Sequence, residues 1–98
     1  MLYLVATLRA KPGEREAVIA AALPCIHATR QEPGCLRYDL FASVTDPDLL
    51  TFVEEWDSEA ALDRHGTMPH VLEWRAKAAP HRESIKLEII FPDRVEVR

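Results

Sequence analysis

One stretch of the chain, residues 54–70, contains the side chains best suited to proton transfer. Glu54 lies in an apolar segment, and His65 and His70 follow it in the same stretch. An imidazole has an ordinary pKa near 6.5, so it can take a proton from a phenol or an enol at neutral pH. A carboxyl group in an apolar cleft gains a higher pKa and can act as a second acid or base. These three residues are the predicted catalytic group.

Each of the three residues also has a purely structural interpretation. Glu54 could pair with an arginine or accept a hydrogen bond from a backbone donor. His65 lies at the expected end of a helix, where it could bind free carbonyl groups, and His70 could be a surface residue in the first turn of the next helix. The residues alone leave both interpretations open.

The sequence contains no pattern typical of a metal or nucleotide site. Glu54, His65 and His70 offer three donor groups, but their spacing differs from helix-borne zinc motifs such as HExxH. The three glycines each adjoin a turn or a helix-end signal, so they do not form a phosphate-binding loop. We therefore predict that the protein uses no metal and no cofactor.

Several aromatic side chains could form the wall of a ligand site beside this group. A flat polycyclic or quinonoid ligand would pack well against such a wall. In a domain of this size, aromatic residues are also commonly core residues. The predicted substrate-binding residues are Tyr38, Phe52, Trp56 and Trp74.

Apolar periodicity and turn signals predict the elements that must position these residues. Alternation with period two indicates strands, whereas apolar spacings of three and four residues indicate helices. Pro24 is expected to kink or interrupt the first helix, because proline lacks a backbone donor and clashes with the preceding turn. Residues 95–97 are interpreted as a short edge strand or an exchanged tail. The predicted strands cover residues 2–9, 35–41, 49–56 and 84–91, and the predicted helices cover residues 14–29, 59–65 and 69–79.

The order of these elements is typical of an α+β, ferredoxin-like split βαβ fold, with an antiparallel sheet and helices on one face. Apolar residues occupy both parities of the strands, so neither sheet face is expected to face solvent. A sheet-to-sheet homodimer would bury the second face, and a chain this short gains stability from such burial. One parity comprises Leu4, Leu36, Leu40 and Leu50, and the other comprises Val5, Cys35, Phe41 and Val53.

Length and charge restrict the function further. A chain of 98 residues is expected to form one domain, residues 1–98, in which residues 92–98 are a tail. A net charge of −4 with scattered lysines and arginines argues against nucleic acid. No apolar run approaches the roughly 20 residues that span a bilayer, and the first residues do not resemble a signal peptide. We expect a cytoplasmic protein with reduced cysteines and no membrane partner.

Three motifs together resemble the antibiotic biosynthesis monooxygenase (ABM) domain. The resemblance runs over nearly the whole chain, and it implies a dimeric α+β barrel built from two ferredoxin-like subunits whose sheets pack together. The motifs are Glu32-Pro33-Gly34-Cys35-Leu36-Arg37-Tyr38, Phe52-Val53-Glu54-Glu55-Trp56, and the segment from His65 to Pro69-His70.

The resemblance also implies an activity, the oxygenation of quinols, anthrones and related aromatic substrates by dioxygen without a cofactor. In that chemistry His65 or His70 would be the base and Glu54 would orient a histidine. Trp56 and Tyr38 would line the pocket.

Other members of the family imply other functions. Haem-degrading members use an asparagine, and this chain contains none, so haem is disfavoured. An isomerase of a small hydroxyketone phosphate and a non-catalytic dimeric ligand-binding domain are the alternatives. The isomerase would need a cluster of basic residues, and Arg64 and Arg75 are the basic residues expected near the site.

Overall fold

Four strands and three α-helices follow one another in the predicted order. The computed structural model describes all residues, 1–98. A short 3-10 turn, Ala79–His81, joins the last helix to the last strand. The elements are β1 (Leu2–Ala10), α1 (Arg15–Thr29), β2 (Cys35–Ala42), β3 (Leu49–Trp56), α2 (Glu59–His65), α3 (Pro69–Ala78) and β4 (Arg82–Ile90).

The strands form one antiparallel sheet in the order β2-β3-β1-β4. This confirms the predicted ferredoxin-like α+β fold, in which the first and third strands are central. Successive side chains of a strand point to opposite faces, so every second residue of the two central strands is buried beneath the helices. These buried residues are Leu2, Leu4, Ala6, Leu8 and Ala10 of β1 and Leu50, Phe52, Glu54 and Trp56 of β3.

Helix α1 is continuous through Pro24, so the prediction that it would be interrupted there is wrong. Pro24 cannot donate a hydrogen bond to the carbonyl group of Ala20. Both residues lie on the exposed side of the helix, where solvent can reach that carbonyl group. On the opposite side Val18, Ala22 and Cys25 are buried in the core, and their packing holds the helix together across the proline.

The second face of the sheet carries no helix, and its composition is more mixed than the strand parities indicated. Tyr3, Val5 and Val53 are half-buried there, and the charged Glu55 lies on the same face. Leu36 does not follow the predicted parity, because the pairing of β2 with β3 shifts register between Cys35 and Arg37. The leucine is therefore 57% exposed.

The last strand, β4, lies at the edge of the sheet and is largely exposed. Its residues Ile85, Leu87 and Ile89 pair with buried residues of β1, so they lie on the helix side of the sheet. No strand is formed after Ile90 within the single chain, and an exchanged tail at residues 95–97 stays a prediction. None of the helices combines the length and apolar character needed to span a bilayer.

Candidate active site

A cavity of about 310 Å³ lies between the helix side of the sheet and helices α2 and α3. This volume is at the lower end of the range for small-molecule sites. The floor comes from the central strands, and β4 contributes an apolar row of Ile85, Leu87 and Ile89. Most of the lining is apolar, and Glu54, His65 and Arg75 are among the few groups that bring charge or proton-transfer capacity to it.

Glu54 is a buried carboxyl group in the cavity floor and is 4% exposed. Its Oε1 atom accepts a hydrogen bond of 3.0 Å from the indole Nε1 of Trp56, two residues further along β3. Burial raises the pKa of Glu54 from 4.5 to about 7, although the Trp56 hydrogen bond and the charge of Arg75 act in the opposite direction. Near neutral pH this group can therefore either take up or release a proton.

His65 ends helix α2 and lines the same cavity. Its ring lies between two aromatic side chains, with centroid distances of 5.4 Å to Tyr38 and 4.8 Å to Trp56. Its Nδ1 atom lies 2.8 Å from Oε2 of Glu32. Burial lowers the pKa of His65 below 6.5, and the interaction with Glu32 opposes that shift. The imidazole is therefore neutral at pH 7.

Glu32 connects the two histidines of the predicted catalytic group. Its Oε2 atom lies 2.8 Å from Nδ1 of His65 and 2.7 Å from Nε2 of His70. The Glu32 side chain is almost completely buried, and its second oxygen, Oε1, has no hydrogen-bond partner. Hydrogen bonding to the same buried carboxylate oxygen fixes the orientation of both imidazole rings, because each ring must keep one nitrogen directed at that oxygen.

Local backbone geometry brings Glu32 beneath the end of α2. Gly34 has a φ of +89°, and a Cβ atom there would lie 2.5 Å from Cβ of Ala61 and 2.6 Å from Oδ1 of Asp57. Only glycine therefore lets the turn before β2 pass so close to the start of α2. The hydroxyl of Ser58 caps that helix by accepting a hydrogen bond from the Ala61 N–H at 3.2 Å.

Comparison with known proteins identifies the family. The family model described as "Antibiotic biosynthesis monooxygenase" matches residues 1–77, which include the buried acids, both histidines and the aromatic residues of the cavity. The chain belongs to the antibiotic biosynthesis monooxygenase family. The resemblance inferred from the three motifs is thereby confirmed.

Relatives of this ABM protein include several that are named as monooxygenases. "Putative monooxygenase Rv0793" of Mycobacterium tuberculosis is 38% identical over 74 residues, 76% of this chain and 72% of that protein. Its solved structure has a TM-score of 0.89 and covers 98% of both chains, at 29% identity. "Probable quinol monooxygenase YgiN" of Escherichia coli K12 is 32% identical over 81 residues, 72% of this chain and 78% of that protein.

One relative is considerably longer than the region it shares with this ABM chain. "Uncharacterized protein sll1783" of Synechocystis is 31% identical over 77 residues, which are 79% of this chain. The chain spans about half, 52%, of that protein's length. The similarity to it therefore concerns the ABM domain alone.

Three of the four predicted aromatic residues line the cavity of the ABM domain. Tyr38, Phe52 and Trp74 form a connected wall, with ring centroids 5.2 Å apart for the first pair and 5.5 Å apart for Phe52 and Trp74. Burial raises the pKa of Tyr38 far above its ordinary value of 10, so its hydroxyl stays protonated. This hydroxyl lies 3.8 Å from Sγ of Cys25.

The structure corrects the expected positions of Trp56 and His70. Trp56 is completely buried behind Glu54 and is not part of the cavity lining, because its ring lies against His65 rather than above the floor. His70 also lies outside the lining. Its side chain is 20% exposed, and its Nε2 atom contacts Glu32. The acid that holds the histidines is Glu32, not Glu54 as expected, since Glu54 is hydrogen-bonded to Trp56.

The donor set nearest to a metal site also differs from the set suggested by the sequence. Glu32, His65 and His70 each place one potential donor atom within 4.8 Å of the others, so Glu32 takes the position expected for Glu54. Both imidazole nitrogens already lie at hydrogen-bond distance from the same carboxylate oxygen. The arrangement is thus a hydrogen-bonded cluster, and a metal ion would have to displace both of these bonds.

Proposed function

We propose that the chain is a cofactor-independent monooxygenase that oxidises a quinol- or anthrone-type aromatic substrate with dioxygen. The observation that carries this proposal is the position of His65 in the wall of an apolar cavity, with Nδ1 held by the buried Glu32. A carboxylate only accepts hydrogen bonds, so Nδ1 carries the hydrogen and Nε2 keeps its lone pair. Nε2 has no hydrogen-bond partner and is not fully enclosed, so it is available to a substrate hydroxyl.

The proposed reaction starts with transfer of a phenol proton to Nε2 of His65. Glu32 stabilises the resulting imidazolium, as the acid of a catalytic triad does. The phenolate supplies the electrons that reduce dioxygen. One oxygen atom enters the ring system and the other leaves as water, so a hydroquinone and one dioxygen give a hydroxyquinone and one water. Glu54, with a pKa of about 7, is suited to returning the proton to the departing oxygen.

The aromatic wall of Tyr38, Phe52 and Trp74 supports an aromatic substrate, because stacked or edge-on rings attract one another beyond simple burial. The apolar lining also excludes water, which strengthens the electrostatic interactions around a phenolate. The names of the relatives agree with this class of reaction, since YgiN is named as a quinol monooxygenase.

Oxygen uptake tests the proposal directly. Chelator-treated protein should consume dioxygen with benzo-, naphtho- and anthracene-type quinols at a saturable rate above autoxidation. One oxygen atom from ¹⁸O₂ should enter the organic product, and catalase should release no oxygen from the mixture, because water rather than hydrogen peroxide is the second product. Uptake that yields hydrogen peroxide without ¹⁸O in the product would contradict a monooxygenase.

An isomerase of a small hydroxyketone phosphate is the second candidate. It is favoured by one observation, since Arg82 lines the cavity together with Arg75 and could bind a phosphate. Arg64, the other basic residue expected near the site, instead donates a hydrogen bond to the carbonyl oxygen of Pro33 and lies outside the lining. Rearrangement of such a phosphate followed by NMR, without oxygen consumption, would support this candidate. Ligand binding without either activity would support the third alternative, a non-catalytic ligand-binding domain.

We also propose a homodimer in which the second sheet face packs against its counterpart. The half-buried Tyr3, Val5 and Val53 on that face support this arrangement, because their apolar surface is not covered within one chain. Light scattering at micromolar concentration should give about 22 kDa, twice the 11.1 kDa of the chain. A monodisperse species of 11.1 kDa would contradict the sheet-to-sheet packing.

A further inference from the structure

Two arginine side chains line the cavity without a carboxylate partner. Arg75 lies on α3, and Arg82 is the first residue of β4, just after the 3-10 turn. Neither forms an ion pair or a side-chain hydrogen bond. Several arginines elsewhere do, as in the pairs Arg9–Asp46, at 2.9 Å, and Arg30–Asp39, at 3.3 Å.

The acids nearest to these guanidinium groups do not neutralise them. Glu54 and Asp63 line the same cavity, but neither comes within salt-bridge distance of Arg75 or Arg82. Glu54 is hydrogen-bonded to Trp56, and its raised pKa of about 7 leaves it only partly ionised near neutral pH. Asp63 and Arg75 are both exposed, so solvent screens their charges, whereas Arg82 is half-buried. Arg82 is therefore a positive charge of the cavity that its own residues leave unmatched.

The charge of Arg75 extends to the reacting groups. It lowers the pKa values of both Glu54 and His65, so its guanidinium lies close enough to influence each of them. Arg82 stands at the other end of the apolar row, seven residues from Ile89 along the strand. At about 3.3 Å per residue the row from Arg82 to Ile89 is roughly 23 Å long. A fused ring system near His65 would fill one end of the row, with a substituent that reaches towards Arg82 at the other.

A planar guanidinium binds carboxylates and phosphates through paired hydrogen bonds, and such bonds are stronger in an apolar cavity than in water. A neutral aromatic substrate would leave the half-buried Arg82 without a partner.

We propose that the substrate is an aromatic acid whose ionised carboxylate is bound by Arg82, while its ring system lies along Ile85, Leu87 and Ile89. This inference rests on the proposed function, because it places the phenol of the substrate at His65. Arg82 then determines both the charge class of the substrate and its direction in the cavity.

Paired ligands that differ only in charge test this inference. Anthraquinone-2-carboxylate and anthraquinone-2-carboxamide can be titrated into the protein without turnover, and the acid should bind at least about tenfold more tightly. The variant Arg82→Gln should reduce that preference severalfold, whereas Arg75→Gln, close to Glu54 and His65, should reduce it less, and raised salt should reduce it in the unmodified protein. Arg15→Gln removes the same charge at the start of α1, outside the cavity, and should keep the preference.

The outcomes separate this inference from the proposed function. Charge-selective binding that depends on Arg82, without any oxygen uptake, would uphold the anion site and contradict the monooxygenase. Equal binding of the acid and the amide would overturn the inference even if quinols were oxidised. If a small hydroxyketone phosphate bound more tightly than the aromatic acid, and its binding depended on the arginines, this inference would be overturned and the isomerase supported.

Discussion

Replacement of His65 by alanine is expected to lower the turnover of a quinol substrate at least about a hundredfold, in line with the usual contribution of a general base. The imidazole is the group in the cavity wall that is both neutral at pH 7 and free at one nitrogen. Steady-state oxygen uptake, corrected for autoxidation, measures the effect. His27→Ala, an exposed histidine on α1, is the matched control and should keep the full rate.

The effect of Glu32 on the same reaction distinguishes positioning from simple structural support. The hydrogen bond and the charge of Glu32 both raise the pKa of His65. In Glu32→Gln the pKa of His65 should therefore fall further. Since activity requires the neutral imidazole, the acid side of the rate profile should move to lower pH, with a lower maximal rate. A merely destabilised protein would lose activity without this displacement.

His70 provides an additional comparison. It touches Glu32 but not the cavity, so His70→Gln, which retains a hydrogen-bond donor, should be milder than His65→Ala. Full turnover in His65→Ala would remove His65 from the reaction. If His70→Gln were instead the variant that lost about a hundredfold, the base would have to be sought outside the cavity wall described above.

The fold was predictable because its signals are local. Alternation in residues 2–9 and 49–56 identified the two central strands, and turn signals marked the limits of the short helices, which Ser58, Gly66 and Pro69 border in the structure. The effect of Pro24 on the helix was misjudged. The destabilisation caused by a proline depends on whether the carbonyl group that loses its hydrogen bond faces solvent, and the helix pattern alone does not define this. Residues 95–97 find no strand partner within one chain, and their exchange with a second copy stays a prediction.

The site was predictable only in part. Glu54 and His65, which both line the cavity, could be selected because each stood out against its own element, an acid within an apolar strand and an imidazole at a helix end. The contacts of Glu32 with both histidines were not predicted, because these partners lie 33 and 38 residues away and no spacing rule connects them. The sequence signal that could have identified Glu32 was its position directly before Pro33-Gly34, within the first of the three motifs.

Strand parity likewise has a limit that Trp56 illustrates. Strand alternation places Trp56 on the same face as Glu54, but it does not define how far along the strand a helix begins to cover that face. The indole ring lies against His65, behind the cavity floor, and contributes a hydrogen bond rather than a wall. Similarly, Arg82 could not be assigned to the cavity before the register of β4 with β1 was known.

Replacement of Glu54 by glutamine is expected to stabilise the protein in a strongly pH-dependent manner. The pKa of Glu54 is raised in the native state to about 7, whereas 4.5 applies to the unfolded chain. Between these values the native state binds more protons than the unfolded state, so the contribution of Glu54 to stability falls as pH rises through this window and is constant above it. A pKa difference of this size corresponds to a loss of about 3 kcal/mol in the free energy of unfolding at pH 8.

Glutamine removes that penalty and keeps an oxygen that can accept the Trp56 N–H. Urea denaturation should therefore show Glu54→Gln to be more stable than the unmodified protein by about 3 kcal/mol at pH 8 and by less than about 1 kcal/mol at pH 4.5. Glu16→Gln, whose side chain is 81% exposed, should show no such trend. The lowered pKa of His65 makes the stability of the protein fall as the pH drops below 6.5. This effect is present in both proteins, so it cancels in the difference between them. A stability difference that did not change between the two pH values would mean that Glu54 is already ionised in the native cavity, and it could not then return a proton to oxygen near neutral pH.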